Sequence, residues 1–348
     1  MKRYLAFGLA VIMMLSLLAG CSGGSGSSGA EGSESEESAD SKDLKEITFV
    51  LDWTPNTNHT GIYVAQEKGY YEDAGLKVNI VQPPEDGAVS LVAAGQAQFG
   101  VDAQDTLAAA LALDEPLHVK AVASLIQHNS SGIMSRKGEG MDKAGGLEGK
   151  TYSTWNSPIE LAMIKYLMEK DGADFDKLEL IPNNITDEPA ALEAKQTDAV
   201  WVFYGWSCIN ADLKGFDYDY LWFKDYGKEM DYYTPVLIAN SDFLESDPDT
   251  AKAFMEATAK GYEDAIEDPE GAAQILIKGD TTGSLAGSEE LVTASQKWMA
   301  DQYKADVDRW GYIDPERWDA FYKWLTDNDL CENPLEAGTG FTNDYLQE

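Results

Sequence analysis

The chain has 348 residues, with 61 acidic against 26 basic side chains and a formal charge of −35 at pH 7. Such an acidic excess excludes a nucleic-acid partner, because phosphate binding needs a basic surface, and is read instead as solubility and repulsion from anionic surfaces. Three histidines, His59, His118 and His128, offer few ligands for a conventional histidine metal site; no CxxC, HExxH or P-loop pattern occurs, and neither metal nor cofactor is expected.

Met1-Lys2-Arg3 precede a largely apolar stretch centred on Val11 to Leu18, followed by Leu18-Ala19-Gly20-Cys21. A charged start, a short apolar run and small residues form the pattern of an export signal, too short to serve comfortably as a permanent membrane span. The cysteine behind the small residues resembles the lipobox of bacterial lipoproteins. That resemblance implies a signal peptide over residues 1–20, lipid on Cys21 and an extracytoplasmic position at the cell membrane; an ordinary secretory signal with an incidental cysteine is the alternative. Residues 21–44 are almost wholly Ser, Gly, Glu, Asp and Ala and read as a disordered tether.

From residue 45 onward, strand-like runs alternate with helical ones, which predicts an α/β architecture with largely parallel sheets. The expected strands are Ile47 to Asp52, Leu76 to Val81, Gln98 to Asp102, Val119 to Ser124, Gly132 to Ser135, Thr151 to Ser153, Leu178 to Ile181, Ala199 to Phe203, Tyr220 to Phe223 and Thr234 to Ala239. Residues 240–327 read as mainly helical. Asp247-Pro248, Asp268-Pro269 and Asp314-Pro315 each place an N-cap carboxylate before a proline suited to the first helical position. A body of roughly 300 residues exceeds the usual reach of one core, so two lobes are expected. The chain is read as crossing between them near His128 to Gly132 and again near Tyr232 to Pro235. This gives one discontinuous lobe from 45–129 and 235–348 and a second from 130–234. Cys208 and Cys331 are expected to be free thiols.

Leu51-Asp52-Trp53-Thr54-Pro55-Asn56-Thr57-Asn58-His59-Thr60-Gly61, with Tyr63-Val64-Ala65, Lys68-Gly69-Tyr70-Tyr71 and Ala74-Gly75-Leu76, resembles the first strand, loop and helix of type II periplasmic binding proteins of ABC importers. The similarity is to the branch that contains thiamine-pyrimidine binding proteins and the fungal pyrimidine synthase. It continues in Leu91 to Asp102, Leu147 to Thr151, the Trp155 to Glu160 turn and Thr342 to Leu346. The Asp52 to Gly61 run is similar to the formylaminopyrimidine-binding subgroup. The resemblance implies a two-lobed periplasmic-binding-protein fold of type II with a small ligand in the interlobe cleft. It also implies delivery of that ligand to ABC permease and ATPase subunits.

Loops that follow strand ends are where open α/β sheets present ligands. Trp53 offers a stacking face and Asn56 a hydrogen-bonding amide, although Pro55 and the asparagines are also ordinary turn formers. His59 stands where the resemblance places a histidine that feeds atoms into the synthase's product. The synthase's cysteine-rich iron-binding stretch is replaced here by Met230-Asp231-Tyr232-Tyr233-Thr234-Pro235, so His59 either hydrogen-bonds a ligand or caps the helix. Asp102, at the end of the third strand, joins this set.

Ser157-Pro158-Ile159-Glu160 is a capping box, and the resemblance sets that helix start in the cleft wall, where Ser157 and Glu160 are candidate polar readers. Tyr204 and Trp206, beside Gly205, either flank a flat heterocycle or pack. Tyr232 is read in the same way, and Ser130 either reaches the ligand or forms the turn. Trp201 and Phe203 are assigned to the core, and Ser295 to Tyr303 to a core-facing helix. The expected function is a lipid-anchored, non-enzymatic substrate-binding protein for an aminopyrimidine precursor of thiamine. The alternatives are the same scaffold with a flavin or alkylsulfonate ligand, or a pyrimidine synthase-like enzyme.

Overall fold

The computed structural model describes residues 44–347. The expected signal peptide, Cys21 and the tether up to residue 43 lie outside the described residues. Among the described residues ten strands form, at the places the apolar runs predict: β1 Lys45–Val50, β2 Leu76–Val81, β3 Phe99–Asp102, β4 Val119–Ser124, β5 Ser131–Arg136, β6 Thr151–Thr154, β7 Glu179–Pro182, β8 Ala199–Phe203, β9 Tyr218–Trp222 and β10 Val236–Asn240. Runs such as Ile47 to Leu51 and Phe99 to Val101 are nearly continuous in apolar residues, because both sheet faces are covered by helices.

The strands make two sheets of five, in the orders β2-β1-β3-β10-β4 and β7-β6-β8-β5-β9. The expectation of largely parallel sheets is corrected. β1 pairs in parallel with β2 and β3, and β6 with β7 and β8, but β10 runs antiparallel to β3 and β4, and β5 antiparallel to β8 and β9. The two reversed strands are those through which the chain enters each sheet from the other. Having crossed, it meets the resident strands head-on.

Helices Pro248–Glu267, Pro269–Gly279, Glu289–Lys304 and Pro315–Asp327 fill the C-terminal part. Asp247, Asp268 and Asp314 accept hydrogen bonds from the amides of Thr250, Gly271 and Glu316 respectively, as the Asp-Pro pairs predict. A cap of this kind contributes about 1 kcal/mol. Helix Thr60–Glu67 lies against Pro248–Glu267 at a glycine. A Cβ on Gly61 would stand 2.3 Å from the Tyr262 ring, so only glycine permits this approach. Since that helix carries the loop after β1, its seat fixes the loop.

The core is continuous across the two sheets. Val50, Ala121, Val236 and Ile238 of the first sheet belong to one buried cluster with Ile133, Tyr152, Trp201 and Leu221 of the second. Tyr232, on the returning segment, stacks on Phe321 at 4.2 Å and closes this cluster.

Candidate functional site

At the carboxyl edge of the first sheet, β1 gives way to the loop Leu51–Asn56, a 3-10 turn Thr57–His59 and helix Thr60–Glu67. Asn56 caps the turn in an extended conformation: its Oδ1 accepts from the Asn58 amide at 2.9 Å and its Nδ2 donates to the Thr54 oxygen at 3.0 Å. His59 is fully buried. Its Nδ1 accepts from the Asn56 amide at 3.2 Å, so the ring hydrogen sits on Nε2, which donates to Asp52 Oδ1 at 2.7 Å. Both ring nitrogens are thereby used: through Nδ1 His59 closes the capping box of the 3-10 turn, the capping alternative, and through Nε2 it also holds Asp52.

The Asp52 side chain keeps 27% of its surface exposed, and its Oδ2 has no hydrogen-bond partner among the described residues. Val50 pairs with Gly100 in register, which sets Asp52 beside Asp102 at the strand ends. Asp102 accepts from the amides of Ala103 at 2.8 Å and Val89 at 3.2 Å. Burial, reinforced by the charge of Asp52, pushes its carboxyl up to about 6. Trp53, next to Asp52, is 70% exposed.

At the carboxyl edge of the second sheet, the turn after β6 is built by Glu160. Its Oε1 accepts from the Tyr152 hydroxyl at 2.7 Å and the Trp155 amide at 3.2 Å; its Oε2 accepts from the Thr154 hydroxyl at 2.9 Å and the Ser157 amide at 3.2 Å. A carboxylate has about four acceptor positions, and all are taken. Buried to 3% exposure, Glu160 is the template on which the turn from β6 into helix Pro158–Lys170 is formed. The expected direct reading of a ligand by Glu160 is replaced by this internal work, with Ser157 as part of the same turn.

That turn presents Trp155, 51% exposed, whose ring lies 5.5 Å from Trp201. The Trp201 ring meets the edge of Phe223 at 4.2 Å on its way into the core, and its indole nitrogen is buried without a partner among the described residues. Phe203 follows Trp201 on the same strand face and is 41% exposed, a departure from its expected core placement that follows from lying at the strand's end.

β8 runs into a π-helical turn, Tyr204–Cys208. The Tyr204 ring stacks on Trp222 at 4.8 Å and approaches Trp298 at 5.2 Å. The Ser130 backbone oxygen accepts from the Tyr204 amide and the Tyr220 hydroxyl, and only 6% of the residue is exposed. Trp206 is partly buried and packs against a cluster of Tyr63, Leu276, Leu285 and Val292. Tyr232, 3% exposed and stacked on Phe321, is core.

Of the sequence-predicted residues, the structure groups Trp53, Asn56, His59 and Asp102 at one strand edge. It groups Ser157, Glu160, Ser130 and Tyr204 on the second sheet. Half-buried Asp52 and exposed Trp155 and Phe203 are further site candidates, not singled out from the sequence. The signal for the first two was present, since each stands directly beyond a strand end. Cys208 and Cys331 are unpaired, as expected.

Residues 56–272 match the family model described as NMT1/THI5 like. A formylaminopyrimidine-binding protein of Halalkalibacterium halodurans is 28% identical over 304 residues, covering 85% of this chain and 89% of its own. A 4-amino-5-hydroxymethyl-2-methylpyrimidine phosphate synthase of Legionella pneumophila is 25% identical over 306 residues, covering 87% and 92%. Among solved structures, the periplasmic aliphatic sulphonate binding protein of Escherichia coli superposes with a TM-score of 0.63 at 13% identity, covering 87% of this chain and 99% of its own. The two sheets and their two crossovers are thus the periplasmic-binding-protein fold of type II.

Proposed function

We propose a ligand-binding role for this chain, which belongs to the NMT1/THI5-like family. It captures a formylaminopyrimidine or hydroxymethylpyrimidine precursor of thiamine between its two lobes and passes it unchanged to an ABC importer. Lipid on Cys21 holds it outside the cytoplasm at the membrane. Two-lobed binders work by closing over a ligand, so both strand edges contribute.

The observation that carries this reading is Asp52: His59 fixes one carboxylate oxygen while the other, next in sequence to exposed Trp53, has no partner among the described residues. An aminopyrimidine is flat and carries N–H donors, which suits an indole face and a carboxylate acceptor. Trp53 on the first lobe and Trp155 on the second are the proposed stacking faces, Asp52 with Asp102 the acceptors, and Asn56, Ser130 and Tyr204 supporting polar groups. An alkylsulfonate is disfavoured at the same place, because its anion meets two carboxylates. The synthase reading lacks support in Met230 to Pro235, where no cysteine stands.

The test is calorimetry of the full chain with N-formylaminopyrimidine, with riboflavin and an alkanesulfonate as competitors. Saturable binding of the pyrimidine alone supports the reading; binding of either competitor instead overturns the ligand assignment.

A further inference from the structure

Helix Glu289–Lys304 belongs to the first lobe, since Met299 and Tyr303 share a buried cluster with Phe49, Phe99 and Val122. It also packs against the second lobe's π-helical turn. Ser295, fully buried, donates its hydroxyl hydrogen to the backbone oxygen of Gly205. The same Oγ lies 2.7 Å from Thr57 Oγ1 in the loop that holds Asn56 and His59. A hydroxyl has one hydrogen, and that of Ser295 is spent on a carbonyl, which can only accept; the Thr57 hydroxyl is therefore the donor in the second bond. The result is a directed chain from Thr57 through Ser295 to Gly205. The Thr57 backbone oxygen is in turn held by the Tyr303 hydroxyl at 2.5 Å, one helix supporting both ends.

The apolar part of the contact is as close. A Cβ on Gly205 would stand 2.8 Å from the Trp298 ring and 2.9 Å from Met299 Sδ, so the second lobe's backbone lies directly on the helix. Trp206, the next residue, packs against the first lobe's cluster of Tyr63, Leu276, Leu285 and Val292. Irregular π turns of this kind recur at functional points in proteins.

We infer that Thr57, Ser295 and Gly205 form a closure latch, which sets the balance between open and closed lobes in the ligand-free protein and ties that balance to the loop after β1. It stands on interlobe contacts and holds whatever the ligand. When the Thr57 turn shifts, Ser295 loses its donor and its hold on Gly205 weakens, so the loop reports its state to the second lobe.

The test uses the full chain without ligand. Ser295→Ala removes only the hydroxyl, Thr57→Val keeps shape while removing the donor, and Gly205→Ala forces a methyl group into Trp298. Each variant is compared with the parent by small-angle scattering and by amide exchange in residues 204–209. The latch predicts a larger radius of gyration and roughly tenfold faster exchange in that segment, with β8 unchanged. Unchanged scattering and exchange in all three variants would overturn it. So would faster exchange that spreads into β8, because the substitutions would then be loosening the second lobe itself. No ligand enters either measurement, so a failure of pyrimidine binding leaves both readouts intact.

Discussion

His59 Nε2 lies 2.7 Å from Asp52 Oδ1, a fully buried imidazole gripping a carboxylate that is 27% exposed. Because Nδ1 of the same ring accepts from the Asn56 amide, the grip has one orientation and leaves Asp52 Oδ2 directed by protein but bonded to none of the described residues. Preorganisation of this sort spares a ligand the cost of ordering its partner.

If Asp52 reads the ligand, Asp52→Asn weakens pyrimidine binding at least about tenfold, roughly 1.4 kcal/mol, since a charge-assisted acceptor is lost. His59→Ala acts on both properties. It frees Asp52 and leaves the Asn56 amide without its acceptor, so affinity and melting temperature fall together. Calorimetry and thermal melts of the two variants separate these effects, and parent-like affinity in Asp52→Asn would remove Asp52 from the site.

Glu160→Gln is expected to destabilise the ligand-free protein by about 1 to 3 kcal/mol. Each carboxylate oxygen faces one backbone amide, that of Trp155 or that of Ser157. Hydroxyls of Tyr152 and Thr154 can turn, but an amide cannot, so the new NH2 group meets a fixed donor whichever way it points. A melting temperature equal to the parent's would show that the turn does not depend on this carboxylate.

Asp102 carries a pH signature. Its carboxyl is pushed up to about 6 from an ordinary value of 3.8, so the folded state holds its proton more tightly than the unfolded chain. The favourable contribution is complete below about pH 4 and is lost as pH rises through about 6. Asp102→Asn lacks this loss. Its stability relative to the parent should therefore rise between pH 4 and pH 7, by at most about 3 kcal/mol. Urea melts across that range check the sign, and a difference that stays flat would contradict the assignment.

The ten strands were readable because apolar runs bounded by turn residues leave little choice of conformation, as in Ile47 to Asp52 or Ala199 to Phe203. Strand direction was not. That β5 and β10 run backwards depends on which lobe the chain arrives from, and Ser131 to Arg136 reads alike in either direction. At the site, Ser157-Pro158-Ile159-Glu160 announced a capping box, yet nothing in those four residues revealed that Tyr152 and Thr154, on the preceding strand, fill the remaining acceptors of Glu160. Trp206 looked free beside Gly205 because its partners, Tyr63 and Leu276, are distant in sequence. Asp52 was passed over as the last residue of the expected first strand, although β1 ends at Val50 and leaves it in the loop where such sheets present ligands.

Lipid attachment at Cys21, proposed from Leu18-Ala19-Gly20-Cys21, predicts that Cys21→Ala releases the protein from the membrane fraction. Several acyl chains anchor stably where one holds only marginally, so the release should be near complete. Full retention of the variant in the membrane pellet would refute the anchor.

Binding without turnover is tested most directly by titrating the full chain with N-formylaminopyrimidine in a calorimeter and then weighing the recovered ligand by mass spectrometry. The expected result is saturation at one ligand per chain and recovery at unchanged mass. Absence of saturable binding, or recovery of a deformylated or otherwise altered pyrimidine, would contradict it.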